Sequence, residues 1–178
     1  PDEPGIESEM IKLETAVKYG TDTVMDLSTG GDLDVIRKRF LDESPVPVGS
    51  VPIYTAAVKA VRSGKAIVEM TVDEIFDSIE EHVSDGIDFI TVHCGTTLET
   101  IERLRHQGRI ADVVSRGGAF ITEWMIYNEA ENPLYSQFDR LLQIASEYDV
   151  TLSLGDGLSA GCLADATDRP QAHETIIL

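Results

Sequence analysis

Asp112–Phe120, DVVSRGGAF, runs from three residues of short apolar character, Asp112 to Val114, into Ser115-Arg116-Gly117-Gly118, and a helical pattern resumes at Ala119, Phe120 and Ile121. This pattern predicts a buried strand that turns into a helix. An arginine beside two glycines past a strand end suits an anion. Glycine lets a ligand approach the backbone, free N–H groups point outward, and a helix start adds partial positive charge. The alternative is an ordinary strand-to-helix turn that needs glycine for its geometry.

Similar units lie on both sides. Ile6, Met10, Leu13 and Val17 have helical spacing. Asp22–Ser28, DTVMDLS, reads as a buried strand, and Asp32 caps a helix with Leu33, Ile36 and Phe40 inward. Ser44–Tyr54, SPVPVGSVPIY, is expected to be extended, because Pro45, Pro47 and Pro52 oppose helix. Thr71-x-x-Glu74 is a capping-box pattern before Ile75, Ile79 and Val83. Asp88–Gly95, DFITVHCG, is the next strand, and Thr96-x-x-Glu99 opens a helix with Leu98, Ile101 and Leu104 on one face. Trp124 and Tyr127 read as packing residues, Leu134 to Ala145 carries a helical stripe, and Asp149–Asp156, DVTLSLGD, is a last strand.

Strand and helix alternate, and the strands are apolar throughout, as strands covered on both faces are. The prediction is an α/β fold with about five parallel strands and intervening helices. No Rossmann or Walker glycine motif follows a strand, which disfavours the doubly wound nucleotide folds. Polar residues instead stand at the strand ends: Asp26, Ser28, Tyr54, His93, Ser115, Arg116 and Asp156. A (β/α)8 barrel builds its active site there. Such a barrel takes roughly 250 residues, so the 178 residues here predict a partial one.

Composition narrows the function. The net charge is −18, from 32 acidic and 14 basic residues, which opposes a nucleic-acid surface. A cationic spot around Arg116 must then be arranged locally. No apolar run is long enough to span a membrane, and a cytoplasmic enzyme is expected. Cys94 and Cys162 lie far apart and outside any CxxC pair, so they form no complete thiolate metal site.

The residues alone leave roles open. Met25 is a core residue or a ligand contact, and Tyr54 a packed aromatic or a pocket wall. His93 is a base, a metal ligand or a satisfied core histidine, the last being favoured because no second ligand stands at metal spacing. Asp156-Gly157 is a plain turn or an acceptor for a sugar hydroxyl or amine. Glu80-Glu81 and Glu129–Glu131 read as solvated faces. Together the strand ends offer phosphate donors, a ribose-type acceptor and an aromatic wall, which fits a small phosphorylated metabolite.

TDTVMDLSTGGD, SPVPVGSVPIY, ITVHCG, VSRGGAF, ENPLYSQFD and YDVTLSLGDGL, in this order, resemble the phosphomethylpyrimidine synthase family of thiamine biosynthesis, from about Ile6 to Asp168. The resemblance implies a radical S-adenosylmethionine lyase with a central (β/α)8 barrel, residues 1–178 being its N-terminal and middle part. It implies rearrangement of 5-aminoimidazole ribotide to 4-amino-5-hydroxymethyl-2-methylpyrimidine phosphate. It also implies a 4Fe-4S cluster, S-adenosylmethionine and a divalent metal, zinc or iron, with ligands outside this chain.

Carried over by motif, Met25, Tyr54 and His93 match substrate-binding positions, and Ser115, Arg116 and Gly117 match the segment at the phosphate. Asp156, Gly157 and Leu158 match the first three residues of a DGLR segment. Ser159-Ala160 stands where the family has Arg-Pro, so a bidentate, charge-assisted donor is missing and Ser159 is in doubt as a contact. A paralogue, 5-hydroxybenzimidazole synthase, uses the same ribotide and is an alternative. A third expectation is a non-catalytic half-barrel that binds or assembles only. An isolated half-barrel exposes edges and core, so an inactive fragment that pairs as a homodimer is expected.

Overall fold

The computed structural model describes residues 5–178. In chain order the helices are α1 (Ile6–Lys18), α2 (Leu33–Glu43), α3 (Pro52–Arg62), α4 (Val72–Ser84), α5 (Leu98–Gln107), α6 (Arg116–Asn128), α7 (Pro133–Ser136), α8 (Phe138–Glu147) and α9 (Arg169–Ile177). The strands are β1 (Val24–Asp26), β2 (Val48–Ser50), β3 (Phe89–Val92) and β4 (Thr151–Leu154). All pair in parallel, and their order in the sheet is their order in the chain.

The α/β class and the parallel sheet agree with the sequence, but the described sheet has four strands where about five were expected. Asp112–Val114 is not a strand. Its flanking backbone is occupied by side chains: the Asp165 carboxylate accepts the Ile110 and Ala111 N–H groups at 3.1 and 2.9 Å, and Arg109 donates to the Asp112 carbonyl at 3.3 Å. Asp112 itself has φ +20°, off any strand geometry. The Pro-rich stretch also ends early. Pro52 sits in the first turn of α3, where its missing N–H costs nothing, so Tyr54 belongs to a helix and not to an extended strand.

Helix starts follow local chemistry. Asp32 accepts the Val35 N–H at 3.2 Å, and Thr71 and Glu74 exchange bonds of 3.1 and 2.8 Å as a capping box does. α5 is capped one residue later than expected, by Thr97, and Leu98 is consequently 42% exposed. Trp124 is buried, its indole donating to the Met70 carbonyl at 2.7 Å, whereas Tyr127 is 63% exposed and not a packing residue. Glu81 and Glu131 are likewise not simply solvated: Glu81 pairs with Arg37 at 3.0 Å and Glu131 accepts the Leu98 N–H at 3.1 Å.

One sheet face is the core. Val24, Val48, Ile90 and Val92 point into a cluster with Ile36, Phe40, Ile75, Phe76, Ile79, Ile121, Met125 and Leu141 from the helices. The other face carries Met25, Gly49, Phe89 and Thr151 in register, with Thr91 and Ser153 two residues on. It is more open: Thr151 is exposed, and Met25, Phe89, Thr91 and Ser153 are half-buried. Phe89 lies over Gly49, where a β-carbon would come within 2.6 Å of ring atom Cδ2.

Arg37 and His82 are buried inside the helical layer. The Arg37 side chain is 1% exposed and satisfied by Asp85 at 2.6 Å, Glu81 at 3.0 Å and Asp34 at 3.1 Å. His82 in α4 joins β2 to α3 through Ser50 Oγ at 2.7 Å and Thr55 Oγ1 at 2.9 Å. Burial, with Arg37 and Lys59 nearby, depresses its pKa to about 3. A depressed histidine adds stability that is complete above its ordinary 6.5 and is lost as pH falls toward the folded value. Urea unfolding between neutrality and pH 4 is therefore expected to show a falling midpoint. His82→Gln should flatten that slope by on the order of 3 kcal/mol across the range.

Candidate functional site

The site forms where the strands end. Ser115 caps α6, its Oγ accepting the Gly118 N–H at 3.1 Å, and the same oxygen stands 3.4 Å from His93 Nε2. Arg116 is the first residue of α6. Its exposed guanidinium lies 5.1 Å over the centroid of the Tyr54 ring, which meets Phe120 edge-on at 6.1 Å. Arg116 makes no ion pair or hydrogen bond among the described residues, whereas Arg37 and Arg109 are fully engaged.

Arg116 borders two openings. One, of about 800 Å³, is lined by Met25, Leu27, Ser28, Thr29 and residues of α1. The other, of about 590 Å³, is walled by Tyr54, Val58, Arg62 and Phe120 and shares Thr29 with the first. Ser28 Oγ is buried there without a partner among the described residues.

His93 follows β3 and is 5% exposed. Its Nδ1 also has no partner among the described residues. Burial lowers its pKa to about 4, and the nearby Asp156 charge only partly opposes this, so the ring is neutral at neutral pH. Its neighbours are glycines for steric reasons. A β-carbon on Gly117 would come 2.6 Å from His93 Nδ1, and one on Gly155 would stand 3.3 Å from Nε2. On Gly118 it would run into the Gly157 carbonyl, with the carbonyl carbon 2.6 Å away.

Asp156 follows β4. It accepts the Leu158 N–H at 3.0 Å and the Gln171 amide at 2.9 Å. Burial would raise its carboxyl, but bonds to Glu174, Gln171, Ser159 and Leu158 hold it below the usual range. Leu158 is fully buried, and its carbonyl takes the Arg109 guanidinium at 2.7 Å. The Ser159 hydroxyl turns back to the Asp156 carbonyl at 3.4 Å.

The structure thus brings the sequence-predicted residues to one end of the sheet. Met25, Tyr54 and Arg116 line the openings; His93, Ser115 and Gly117 touch one another, and Asp156, Gly157, Leu158 and Ser159 form the adjoining loop, but these seven line neither opening. Sequence patterns missed four residues that hold this arrangement: Thr96, Arg109, Asn132 and Glu174. Asn132 is fully buried and donates to the His93 and Thr96 carbonyls, both at 2.8 Å. The Asn-Pro at the start of α7 is the signal that marks it, because Asn caps before proline.

These residues do not fit an iron–sulfur cluster. Burial pushes the Cys94 thiol up to about 11, away from the thiolate a cluster needs, and the Cys162 thiol donates to Asp165 at 3.2 Å. Among the described residues no group of three His, Cys, Asp or Glu could hold a metal ion. No helix among them is long and apolar enough to cross a membrane.

Comparison with known proteins agrees with the motifs. The whole of residues 1–178 matches the model of the Radical SAM ThiC family. The chain is 60% identical over 177 residues to a phosphomethylpyrimidine synthase of Moorella thermoacetica, covering 99% of this chain and 41% of that protein. It is 60% identical over 175 residues to one of Desulfitobacterium hafniense, covering 98% and 40%. A phosphomethylpyrimidine synthase 2 of Syntrophotalea carbinolica is 59% identical over 178 residues, with 99% and 41% covered. The chain spans about two fifths of the length of these relatives.

The contact at Gly118 is backbone against backbone, so nothing can swing aside. Gly118→Ala is expected to cost about 1–3 kcal/mol in denaturant unfolding. It should also raise the accessibility of His93 to diethyl pyrocarbonate, because α6 must back away from the β4 end.

Proposed function

Because the chain belongs to the Radical SAM ThiC family, we propose that it supplies part of the pocket in which 5-aminoimidazole ribotide is rearranged to 4-amino-5-hydroxymethyl-2-methylpyrimidine phosphate, the pyrimidine of thiamine. Arg116 carries the reading. It is a guanidinium with no ion pair or hydrogen bond among the described residues, on a chain of net charge −18, held over an aromatic ring and bordering two neighbouring openings. A phosphate is the ligand chemistry that satisfies such a group bidentately.

The role of this chain is positioning. Arg116, with the first turn of α6, takes the phosphate. Tyr54 holds the guanidinium from below, so its fork faces the opening. His93, neutral and with an unpartnered Nδ1, offers a hydrogen bond to the ribose or imidazole. Asp156, ionised, accepts from a hydroxyl or the amine. Met25 closes the apolar side. The chemistry of a radical enzyme comes from a cluster and S-adenosylmethionine. The cysteines of this chain do not fit the cluster, and no bond-breaking step is assigned to its residues. Four parallel strands in chain order, with one open face, support a barrel segment whose inner surface is that face.

Calorimetry with 5-aminoimidazole ribotide tests the pocket. Binding is expected, and Arg116→Ala should weaken it by about tenfold or more, while Arg116→Lys restores only part because it lacks the planar fork. Equal binding by wild type and Arg116→Ala would refute the phosphate role. Turnover by the complete enzyme should release a pyrimidine phosphate; a fluorescent benzimidazole would point to the paralogous reaction. The open sheet face also predicts pairing of the isolated chain, read by light scattering, and a compact monomer would refute that.

A further inference from the structure

Glu174 lies in α9, away from every motif that marks the strand ends, and it has no exposed surface. One carboxylate oxygen, Oε1, accepts the Gly157 N–H at 3.0 Å and the Thr96 hydroxyl at 2.6 Å. The other, Oε2, accepts the Leu158 N–H at 2.8 Å. Thr96 follows β3, and Gly157 and Leu158 follow β4. A single side chain therefore ties two adjacent strand ends to a third element. The fit is close: a β-carbon on Gly157 would meet Thr96 Oγ1 and come 3.1 Å from Glu174 Oε1.

The peptide that Glu174 grips touches the rest of the site. The Gly157 carbonyl packs on Gly118, next to the Ser115 cap, and the Leu158 amide is shared with Asp156 at 3.0 Å. We propose that Glu174 is a positioning residue, which holds the Gly157 and Leu158 amides as an anion and so sets where Asp156 and the start of α6 stand beside His93. The inference rests on the pocket reading above, and it concerns a residue that reading does not use.

Ionisation decides the grip. The carboxylate offers only acceptors to three donors; a protonated carboxyl shares its proton with the neighbouring Asp156 carboxylate and is a weaker acceptor for the amides and hydroxyl it faces. Burial and the neighbouring Asp156 raise its pKa to about 7, against the Thr96 and Leu158 bonds that lower it. The other titratable groups facing it are Asp156 from the β4 end and Cys94 from the β3 end, whose thiol is high at about 11. His173, on its own helix, faces Glu99 of α5 at 3.6 Å, and the Asp156 charge acts on both Glu174 and His93.

The signs separate positioning from mere folding. A folded pKa above the ordinary 4.5 means that this group's contribution to stability falls as pH rises from about 4.5 to about 7. The hold on the two amides instead strengthens as the folded-state carboxylate forms, around pH 7. A structural role alone moves the first quantity; the proposed role moves the second in the opposite direction.

The test pairs amide proton shifts of Gly157 and Leu158 in the ligand-free protein with affinity for 5-aminoimidazole ribotide, both followed through neutrality. In the wild type the two shifts should titrate with a midpoint near 7, and affinity should rise through the same range. In Glu174→Gln the shifts should be flat and binding about tenfold weaker. The ligand's own phosphate titration is common to both proteins and cancels in the comparison. Thr96→Val removes a hydroxyl that lowers the pKa, so the midpoint should move up; this variant decides the matter if the glutamine variant does not fold. Wild-type shifts that do not titrate near neutrality, or affinities of the two proteins within about twofold at every pH, overturn the inference. Shifts that behave as expected in a protein that binds no ribotide would instead overturn the pocket and leave the clamp standing.

Discussion

The start of α6 presses its backbone onto the loop after β4, glycine against glycine, and the strand ends are arranged around that approach. Gly118 has no room for a β-carbon because the Gly157 carbonyl is there, and Gly117 has none because of the His93 ring. Packing this tight tolerates no added methyl group without displacement. It fixes the Ser115 cap against His93 and aims Arg116, the next residue, away from the crowded side toward Tyr54 and the end of β1. The cationic spot on an otherwise acidic molecule is thus a consequence of where two glycines let a helix begin.

Much of this was legible in the residues. Strands β1, β3 and β4 lie inside the apolar runs that mark them, and the Asp32 and Thr71–Glu74 caps form as their patterns require. Proximity of the predicted site residues followed from parallel topology alone, since every strand then ends on the same side. What was not legible depended on distant side chains. Asp112–Val114 has the composition of a strand, yet its neighbouring N–H groups are taken by Asp165, more than fifty residues later, and no local pattern reports that. Pro45, Pro47 and Pro52 look alike as helix breakers, but a proline at a helix start is permitted, and only the end of the β2 pairing shows which of them begins α3.

The polar side chains divide into two kinds. Arg37 and the Arg109–Asp168 pair, the latter at 2.7 Å, are enclosed and satisfied, and they serve the architecture. Among the described residues Arg116, His93 Nδ1 and Ser28 Oγ keep unmet hydrogen-bonding capacity at the strand ends, while Thr122 Oγ1 and His173 Nδ1 do so singly within helices. Native interiors rarely leave buried groups unpartnered, so His93 Nδ1 and Ser28 Oγ, near an exposed and unengaged Arg116, mark where a polar ligand has something to complete.

Arg109 has a consequence for synthesis. It reaches the Asp112 carbonyl within its own loop, the Leu158 carbonyl, and the carboxylate of Asp168, 59 residues downstream. The ribosome makes the chain from the N-terminus at roughly 5–20 residues per second. The loop ahead of α6 therefore waits several seconds for the groups that shape it, with the arginine free in the meantime. Nascent chains interrupted before Asp165 and Asp168 emerge would carry all four described strands but lack the carboxylates that hold the bend leading to Ser115 and Arg116.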